Sequence, residues 1–417
     1  MILALAACLL ATAVAPRPPA AAPLRPRLTT AQAEALVKEI SASVEQIRGL
    51  KFKTPVAMKI ISGREARDAF KSKIEPREEE LARHVTYAYA HLGLIPRGTD
   101  LLTGYLDTAE TGVAGYYEPG SKTFYLLDHV SADSVRGVIA HELTHALEDQ
   151  HYDLKAFAGK AGGDDDRQTA ITAVVEGSAM VVMMAYLSRE RDKNKTAFEQ
   201  VEREKTERAQ RLKTAPSFTQ RSLMMPYILG ITFLLRGNIF NWLGPNGGVR
   251  VDDLDQAYAN PPRSTRHILH PDQYWQNPDR AWERLSLPDL SSVLGQGWSK
   301  AAEGSIGELG LSVLTGAKVD LEQGQALLPT RWIDAASTGT TGDVFHHYVN
   351  GPCRATVLAT RWETEHDAEE FERALAARGR RFVRYGVNLL ILAGDVGDKA
   401  DAVSIAALER ARYFPAE

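Results

Sequence analysis

Hydrophobic positions recur every three to four residues in the stretch after Ser134, with polar residues between them. This period predicts an amphipathic helix whose N-cap lies in Ser131–Ser134. Just before it, Val113–Tyr117 and Thr123–Leu127 are rich in aromatic and β-branched residues and flank a Pro-Gly turn, which predicts a β-hairpin. A further stretch, Ala170–Leu187, is apolar on nearly every face. It is too short and too interrupted to span a bilayer, so it predicts a buried core helix.

In both the N-terminal and the C-terminal part of the chain, segments with a helical pattern of hydrophobic residues alternate with strand-like segments. The N-terminal part predicts helices at Thr29–Gly49, Gly63–Ile74 and Arg77–Leu92 and a strand-like run at Val56–Ile61. The C-terminal part predicts a small α+β unit of ferredoxin-like character. Its predicted strands and helices are Val344–Val349, Ala355–Trp362, Asp367–Arg378, Val383–Leu392 and Asp398–Tyr413. We therefore expect an α+β fold.

Composition narrows the class of protein. The chain has 417 residues, a length sufficient for two or three domains. Of these residues 44% are hydrophobic and 24% are charged, as in an ordinary globular protein. A net charge of −4 and a pI near 6.3 argue against nucleic acid as a partner.

The first residues resemble a targeting segment. Residues 1–15 are uncharged and largely Ala and Leu, and a Pro-rich run follows. They predict a signal peptide and linker at 1–28, and hence a secreted or cell-envelope protein. Leu5-Ala6-Ala7-Cys8 also resembles a bacterial lipobox, in which the cysteine is lipidated and tethers the protein to a membrane. A plain secretory signal is the alternative, because no positive charge precedes this segment. In either case only Cys353 would keep a free thiol after cleavage, so no intramolecular disulfide is expected.

The predicted central helix carries His141-Glu142-Leu143-Thr144-His145. Residues four apart lie on one helical face, with Cβ atoms about 5–6 Å apart. Zinc bound at roughly 2.0–2.1 Å from each nitrogen can bridge that gap. Glu142 can reach a water beside the metal without ligating it, which is the H-E-x-x-H pattern of zinc peptidases. The alternative is that both histidines are ordinary core residues.

A catalytic zinc normally has three protein ligands, and two residues compete for the third place. His151 has the spacing of the longer H-E-x-x-H-x-x-G-x-x-H motif, but Glu148 stands where that motif needs glycine. Glu176 lies in the apolar Ala170–Leu187 stretch, where a carboxylate costs several kcal/mol unless a charge or metal compensates it. We expect Glu176 to be the third ligand, with Gly177 allowing the two helices to approach closely.

The H-E-x-x-H helix followed by a helix with glutamate resembles the gluzincin branch of zinc metallopeptidases. More closely, the chain resembles an uncharacterised family of bacterial envelope proteins with that core. The segments that carry the resemblance are Ala114–Tyr117, Ala140–His151, Val175–Ala179, Pro226–Gly230, Pro261–Thr265, Leu269–Pro271, Gly307–Gly310, Trp362–Glu365 and Asp367–Phe371.

This resemblance implies a zincin-like core, mostly helical with a small sheet and an edge hairpin. It also implies one zinc ion and peptidase activity. The chain departs from thermolysin-like gluzincins at Met180, where they carry an aspartate that orients a zinc histidine. That role would fall to Asp149 or to a backbone carbonyl. We expect residues 29–100 to pack on a catalytic core at 101–328, and 329–417 to form the C-terminal unit.

In gluzincins a segment like 223–274 closes the far side of the cleft. The side chains there that could donate a hydrogen bond to an oxyanion are His270, His267, Tyr227 and Arg263. We prefer His270, because the following Pro271 fixes its backbone, although an ordinary packing role is the alternative for each of the four.

Together these residues predict hydrolysis of amide bonds in a protein or peptide substrate. Zinc held by His141, His145 and Glu176 would activate a water, and Glu142 would take its proton. The alternative is a non-catalytic envelope protein in which zinc only locks the fold and the C-terminal unit binds a partner. A structural zinc is usually closed by four protein ligands, so an unligated Glu142 favours the enzyme.

Overall fold

The computed structural model describes residues 28–130, 134–189, 215–237, 250–277, 283–319 and 324–400, with 403, 406 and 412–415. The predicted signal peptide and Cys8 lie outside the described residues. Within them the chain is a mixed α+β protein, as predicted.

The N-terminal part forms helices that pack around a small sheet. Thr29 caps the first helix through a capping box with Gln32, and Gly49 ends it in the left-handed conformation at φ 74°. The predicted helix Thr29–Gly49 is therefore confirmed. The elements are α1 (Thr30–Arg48), β1 (Ala57–Ile61), α2 (Gly63–Ser72), α3 (Pro76–Leu92), α4 (Leu101–Thr111), β2 (Gly115–Glu118) and β3 (Thr123–Leu127).

β2 and β3 form the predicted hairpin, with Gly115 opposite Leu126 and Glu118 opposite Thr123. β1 pairs with β3 in parallel, so the strand order is β1-β3-β2. In this sheet β2 is therefore an edge strand.

The central part is helical. Its elements are α5 (Val135–Tyr152), α6 (Leu154–Gly159), α7 (Asp165–Arg189), α8 (Ser217–Leu234), α9 (Val251–Ala259), α10 (Thr265–Leu269) and α11 (Pro271–Gln276). By length and composition α7 could cross a membrane, but 83% of its most apolar window is buried inside the protein. This burial confirms the prediction of a core helix.

The elements of the C-terminal part are β4 (Glu283–Ser286), α12 (Ser291–Leu294), β5 (Ser299–Gly304), α13 (Gly307–Thr315), β6 (Thr340–Asn350), β7 (Cys353–Trp362), α14 (Glu365–Ala376), β8 (Phe382–Tyr385), β9 (Asn388–Gly394) and β10 (Arg412–Pro415), with 3-10 turns at Gly324–Leu327, Pro329–Arg331, Ala335–Ser337 and Gly397–Lys399. A five-stranded antiparallel sheet has the order β5-β6-β7-β9-β8, and a second, two-stranded sheet pairs β4 with β10. β7, α14 and β8 form a split β-α-β unit, with β9 between the two parallel strands.

Two predictions for this part need comment. The single strand predicted at Val383–Leu392 is wrong, because a turn at 386–387 divides it into β8 and β9. Most of the predicted helix Asp398–Tyr413 lies outside the described residues.

The boundary predicted between residues 328 and 329 falls inside this sheet, because β5 precedes it and the other four strands follow it. Polar contacts join the sheet to the helical core, since Arg266 of α10 donates a hydrogen bond to the backbone carbonyl oxygen of Thr340 in β6. Asp343 of β6 accepts the backbone N–H groups of Ile306 and Gly307 at 2.7 and 2.9 Å. Asp166 at the start of α7 accepts the N–H of Thr265 at 3.1 Å, and burial raises its pKa to about 7. The sheet and the core thus share polar contacts as well as apolar ones.

α7 and α8 meet at a pair of glycines. A Cβ on Gly177 would lie 2.5 Å from the carbonyl carbon of Gly230, and a Cβ on Gly230 would lie 2.3 Å from the carbonyl oxygen of Ala173. Both distances are too short for any side chain. Gly177 does allow a close helix approach, as predicted, but towards α8 rather than towards the histidine helix α5.

We therefore expect Gly177→Ala to lower the free energy of unfolding by about 1–3 kcal/mol, because the two backbones must separate to admit a methyl group. Urea denaturation monitored by circular dichroism measures this change. Gly104→Ala is the matched control in α4, since its new Cβ would meet no atom within 4 Å. The control should keep its stability or gain about 0.5–1 kcal/mol. An equal effect of both substitutions would contradict a tight glycine contact.

Candidate metal centre

His141 and His145 of α5 meet Glu176 of α7 at one buried point. Nε2 of His141 lies 3.1 Å from Nε2 of His145 and 3.2 Å from Oε2 of Glu176. Nε2 of His145 lies 3.5 Å from the same carboxylate oxygen. The ligand atoms of a tetrahedral zinc site are separated by about 3.3 Å, as bond lengths near 2.0–2.1 Å require. The three side chains could therefore hold one metal ion without rearrangement.

The electrostatics of this cluster favour a positive charge among the three groups. Burial alone would lower the pKa of His145, but the charge and hydrogen bond of Glu176, with the charges of Glu142 and Glu148, together raise that pKa to about 9. Burial opposes ionisation of Glu176 as well, yet attraction to His145 and the contact with His141 bring its pKa below the ordinary value. A divalent cation would satisfy all three groups at once.

Glu142 lies next to the cluster and is fully buried. Neither of its carboxylate oxygens is hydrogen-bonded to a side chain within the described part of the protein. Burial raises its pKa to about 8, with repulsion from Glu176 adding to the effect, while His145 and the backbone N–H of Tyr117 favour the charged form. An ionisable group so placed could accept a proton near neutral pH.

The structure brings Glu176, and not His151, to the histidine pair. Nε2 of His151 lies 2.8 Å from the backbone carbonyl oxygen of Lys51, on the exposed side of α5. Glu148, which stands where the longer motif has glycine, is fully buried instead. The helix therefore continues past the motif to Tyr152, and His151 does not turn back towards the histidines.

Sequence reasoning missed the partners of Glu148. Its Oε1 accepts hydrogen bonds from Nε of Arg48 at 2.6 Å and from the hydroxyl of Ser178 at 2.5 Å, and its Oε2 accepts one from Tyr258 at 2.6 Å. Arg48 has no exposed surface, so the ion pair is wholly inside the protein. The position of Glu148 on the buried face of a helix indicates that it needs a partner. The neighbouring sequence does not identify that partner, because Arg48 lies 100 residues away.

Asp149 does not orient a zinc histidine, although it was one of the two expected candidates. Its carboxylate accepts hydrogen bonds from the hydroxyl of Tyr117 at 2.7 Å, from Lys122 at 2.6 Å and from the backbone N–H of Leu154 at 2.9 Å. These contacts tie the β2–β3 hairpin to α5. Nδ1 of His145 is buried and has no hydrogen-bond partner among the described residues.

A cavity of about 270 Å³ opens beside the cluster. The hairpin forms one wall through Tyr117 and Gly120, and His145 and Glu176 face the same space. The remaining wall comes from α6 and α7, with the side chains of Leu154, Lys155, Ala158, Gln168, Ile171, Thr172 and Val175. The edge strand β2 thus borders both the cavity and the candidate metal ligands.

Of the four candidate oxyanion donors, Tyr227 lies near one of the two histidines. Its ring is stacked at 6.4 Å from the ring of His141. His270 places its Nε2 at 2.9 Å from Oε1 of the buried Glu308, and it does not line the described wall of the cavity. Nδ1 of His267 lies 3.1 Å from the backbone nitrogen of Arg263. The catalytic role expected for His270 remains a prediction.

Residues 294–406 match a family described as a domain of unknown function (DUF8575). That range holds the five-stranded sheet with α13 and α14, and it contains none of His141, His145 and Glu176. No curated protein and no solved structure matches the chain. The function of the metal centre must therefore be argued from its geometry.

We expect the purified protein to carry about one equivalent of a divalent transition metal, and Glu176→Gln to remove most of it, because the carboxylate supplies the third ligand. His151→Ala is the control and should keep the metal. Elemental analysis after dialysis against metal-free buffer measures both. Retention of metal by Glu176→Gln together with its loss from His151→Ala would reverse the assignment of the third ligand.

Proposed function

We propose that this protein is a zinc-dependent hydrolase that cleaves peptide bonds, with a zincin-like core of the gluzincin type. The observation that carries the proposal is the buried His141–His145–Glu176 cluster with an unligated, buried Glu142 beside it. A metal site that served stability alone would have no use for such a carboxylate, whose burial is costly.

The donor set supports zinc in particular. Two imidazole nitrogens and one carboxylate oxygen make the three-ligand set of catalytic zinc sites, in which a fourth position stays open. The open side faces the cavity, because His145 and Glu176 line it. Zinc bound there would supply a Lewis acid that lowers the pKa of water and polarises a carbonyl group.

Glu142 is the proposed general base. Its carboxylate would take a proton from the attacking water and deliver it to the nitrogen of the leaving amine. Its pKa of about 8 reflects burial, and a divalent cation nearby would lower it towards the range in which the carboxylate is ionised at neutral pH. No side chain of the described residues forms a hydrogen bond that would compete with this transfer.

The edge strand β2 is the proposed site for the substrate backbone. An extended peptide would add to the edge of β2 that faces away from β3, and its side chains would alternate between the cavity and solvent. The substrate is thus a protein or peptide that can present an extended segment. We place this activity in the cell envelope or outside the cell, on the basis of the predicted signal peptide alone.

The competing proposal is a non-catalytic envelope protein that keeps the metal as a structural element. The hydrogen bonds of Glu148 are relevant to this alternative. Glu148 binds Arg48, Ser178 and Tyr258, and these contacts hold together the helices around the site. Because that network lies beside the metal ligands and does not include them, the fold has a means of holding the helices that does not require metal. This favours a chemical role for the metal.

Glu142→Gln separates the two proposals. We expect the variant to keep its metal content and melting temperature, because the side chain keeps its shape, while the rate of peptide hydrolysis falls by about 10²–10⁴ with loss of the proton acceptor. Hydrolysis of a broad peptide library followed by mass spectrometry measures the activity. His151→Ala is the matched control on the same helix and should cleave like the wild type. Equal cleavage by the wild type and Glu142→Gln, or no cleavage by either, would contradict the proposal that the protein is an enzyme.

His270→Ala tests the predicted oxyanion role. Its contact with Glu308 predicts a loss of stability, because the substitution leaves a buried carboxylate without its partner, at a cost of about 1–3 kcal/mol. Thermal unfolding and steady-state kinetics are measured on the same preparation. If His270 is instead an oxyanion donor, melting temperature and metal content will hold while kcat falls by about 10²–10³. Full stability with full activity would exclude both roles.

A further inference from the structure

Three histidines meet where α3 packs on the C-terminal sheet. His84 and His91 lie two turns apart on α3, and His347 lies on β6, which packs against that helix. The ring centroid of His347 is 5.9 Å from that of His84 and 5.6 Å from that of His91. We call these three residues the histidine cluster. None of them is a candidate ligand of the metal centre, so the proposed hydrolysis does not use them.

The ring nitrogens of the histidine cluster have few hydrogen-bond partners. Nδ1 of His91 and Nδ1 of His347 share one hydroxyl, that of Thr356 in β7, at 3.1 and 2.8 Å. Nε2 of His347 and Nδ1 of His84 are buried, and neither forms a hydrogen bond with the described residues. His347 has no exposed surface. Because a protonated imidazole donates from both nitrogens, a charged His347 in this packing would leave one buried donor unsatisfied.

Positive charge faces the histidine cluster from both sides of the contact. Cζ of Arg354 in β7 lies 5.4 Å from the ring centroid of Tyr87, and that ring is stacked on His347 at 6.2 Å. Arg83 of α3 and Arg97, which follows α3, add positive charge near the two histidines of the helix. Burial lowers the pKa of His347 to about 3, and the charges of the other two histidines and of Arg354 add to the effect.

The carboxylates near the histidine cluster do not offset this positive charge. Oε1 of Glu80 lies 3.8 Å from Nε2 of His84, and the side chain of Glu80 is 71% exposed. Asp395 is exposed as well and accepts the backbone N–H of Arg354 at 2.9 Å. Burial therefore lowers the pKa of His84 and His91 despite these two carboxylates. The strands β5 and β9 place uncharged residues opposite His347 and its hydroxyl partner, Ala302 and Ala393.

We propose that the histidine cluster is an acid-sensitive contact, which holds α3 on the C-terminal sheet at neutral pH and weakens as the pH falls below about 6. An imidazole released into water binds a proton with a pKa of about 6.5, whereas one held in the cluster resists protonation. The stability that the contact supplies is therefore present above about pH 6.5 and is lost progressively below it. This behaviour does not depend on the proposed peptidase activity.

Hydrogen exchange of the full-length protein, followed by mass spectrometry, tests this contact. Protection factors, which correct for the intrinsic exchange rate at each pH, are compared at about pH 7.5 and about pH 5.5. We expect protection of α3 to fall about tenfold or more, because the lower pH lies about one unit below the pKa of a solvated imidazole. Peptides of α1, which packs on α5 and α7, are the internal control and should keep their protection. Unchanged protection of α3, or an equal loss in α1, would overturn the proposal.

Variants of the histidines assign the effect to the cluster. His347→Phe keeps a ring and removes the buried titrating group, so the fall in α3 protection should become about tenfold smaller. His366→Gln is the control, because it removes an imidazole of α14 that is 72% exposed, and it should keep the full fall. If His347→Phe does not fold, the double variant His84→Gln with His91→Gln decides, and the fall should shrink there too. A full fall in the folded His347→Phe protein, or in the double variant, would place the acid sensitivity elsewhere and refute the proposal.

Discussion

The crossing of α5 and α7 is the contact on which the metal centre depends. It brings two imidazoles and a carboxylate together without exposing them to water, and it is held by polar contacts as well as by packing. Glu148, one turn after His145, accepts a hydrogen bond from Ser178, which lies two residues after Glu176. Because a buried carboxylate needs a counter-charge, this tie requires Arg48 at the end of α1. The N-terminal helix is therefore part of the scaffold of the site.

The second constraint is the glycine contact between α7 and α8. Successive residues of an α-helix point about 100° apart, since a turn holds 3.6 residues. Gly177 faces the backbone of Gly230 on α8, so Glu176, one position earlier, is turned away from that contact and towards α5. The close approach of α7 to α8 thus sets the direction in which the carboxylate points. One face of α7 therefore packs against α8, and the neighbouring face carries the candidate metal ligand Glu176.

The candidate site could largely be predicted from the sequence because its signals are local. The spacing of His141 and His145 along one helix, and the isolated Glu176 in an apolar stretch, need no knowledge of the rest of the fold. The hairpin before α5 is local in the same way. Contacts between distant residues could not be predicted. Arg48 binds Glu148, 100 residues away, and His270 binds Glu308. β5 pairs with β6 across the predicted domain boundary. The residues around each partner show no sequence pattern that would indicate these contacts.

Asp149 connects the proposed substrate edge to the proposed catalytic group. It holds Tyr117 of β2 and Lys122 of the hairpin turn, and it lies on the same helix as Glu142. The strand that would align a peptide and the helix that would cleave it are therefore joined by direct hydrogen bonds to one buried carboxylate. A substrate that pairs with β2 would be positioned relative to Glu142 by these hydrogen bonds. Such preorganisation lowers the entropic cost of reaching a reactive geometry, and it explains why an aspartate in this position serves the hairpin rather than a histidine ligand.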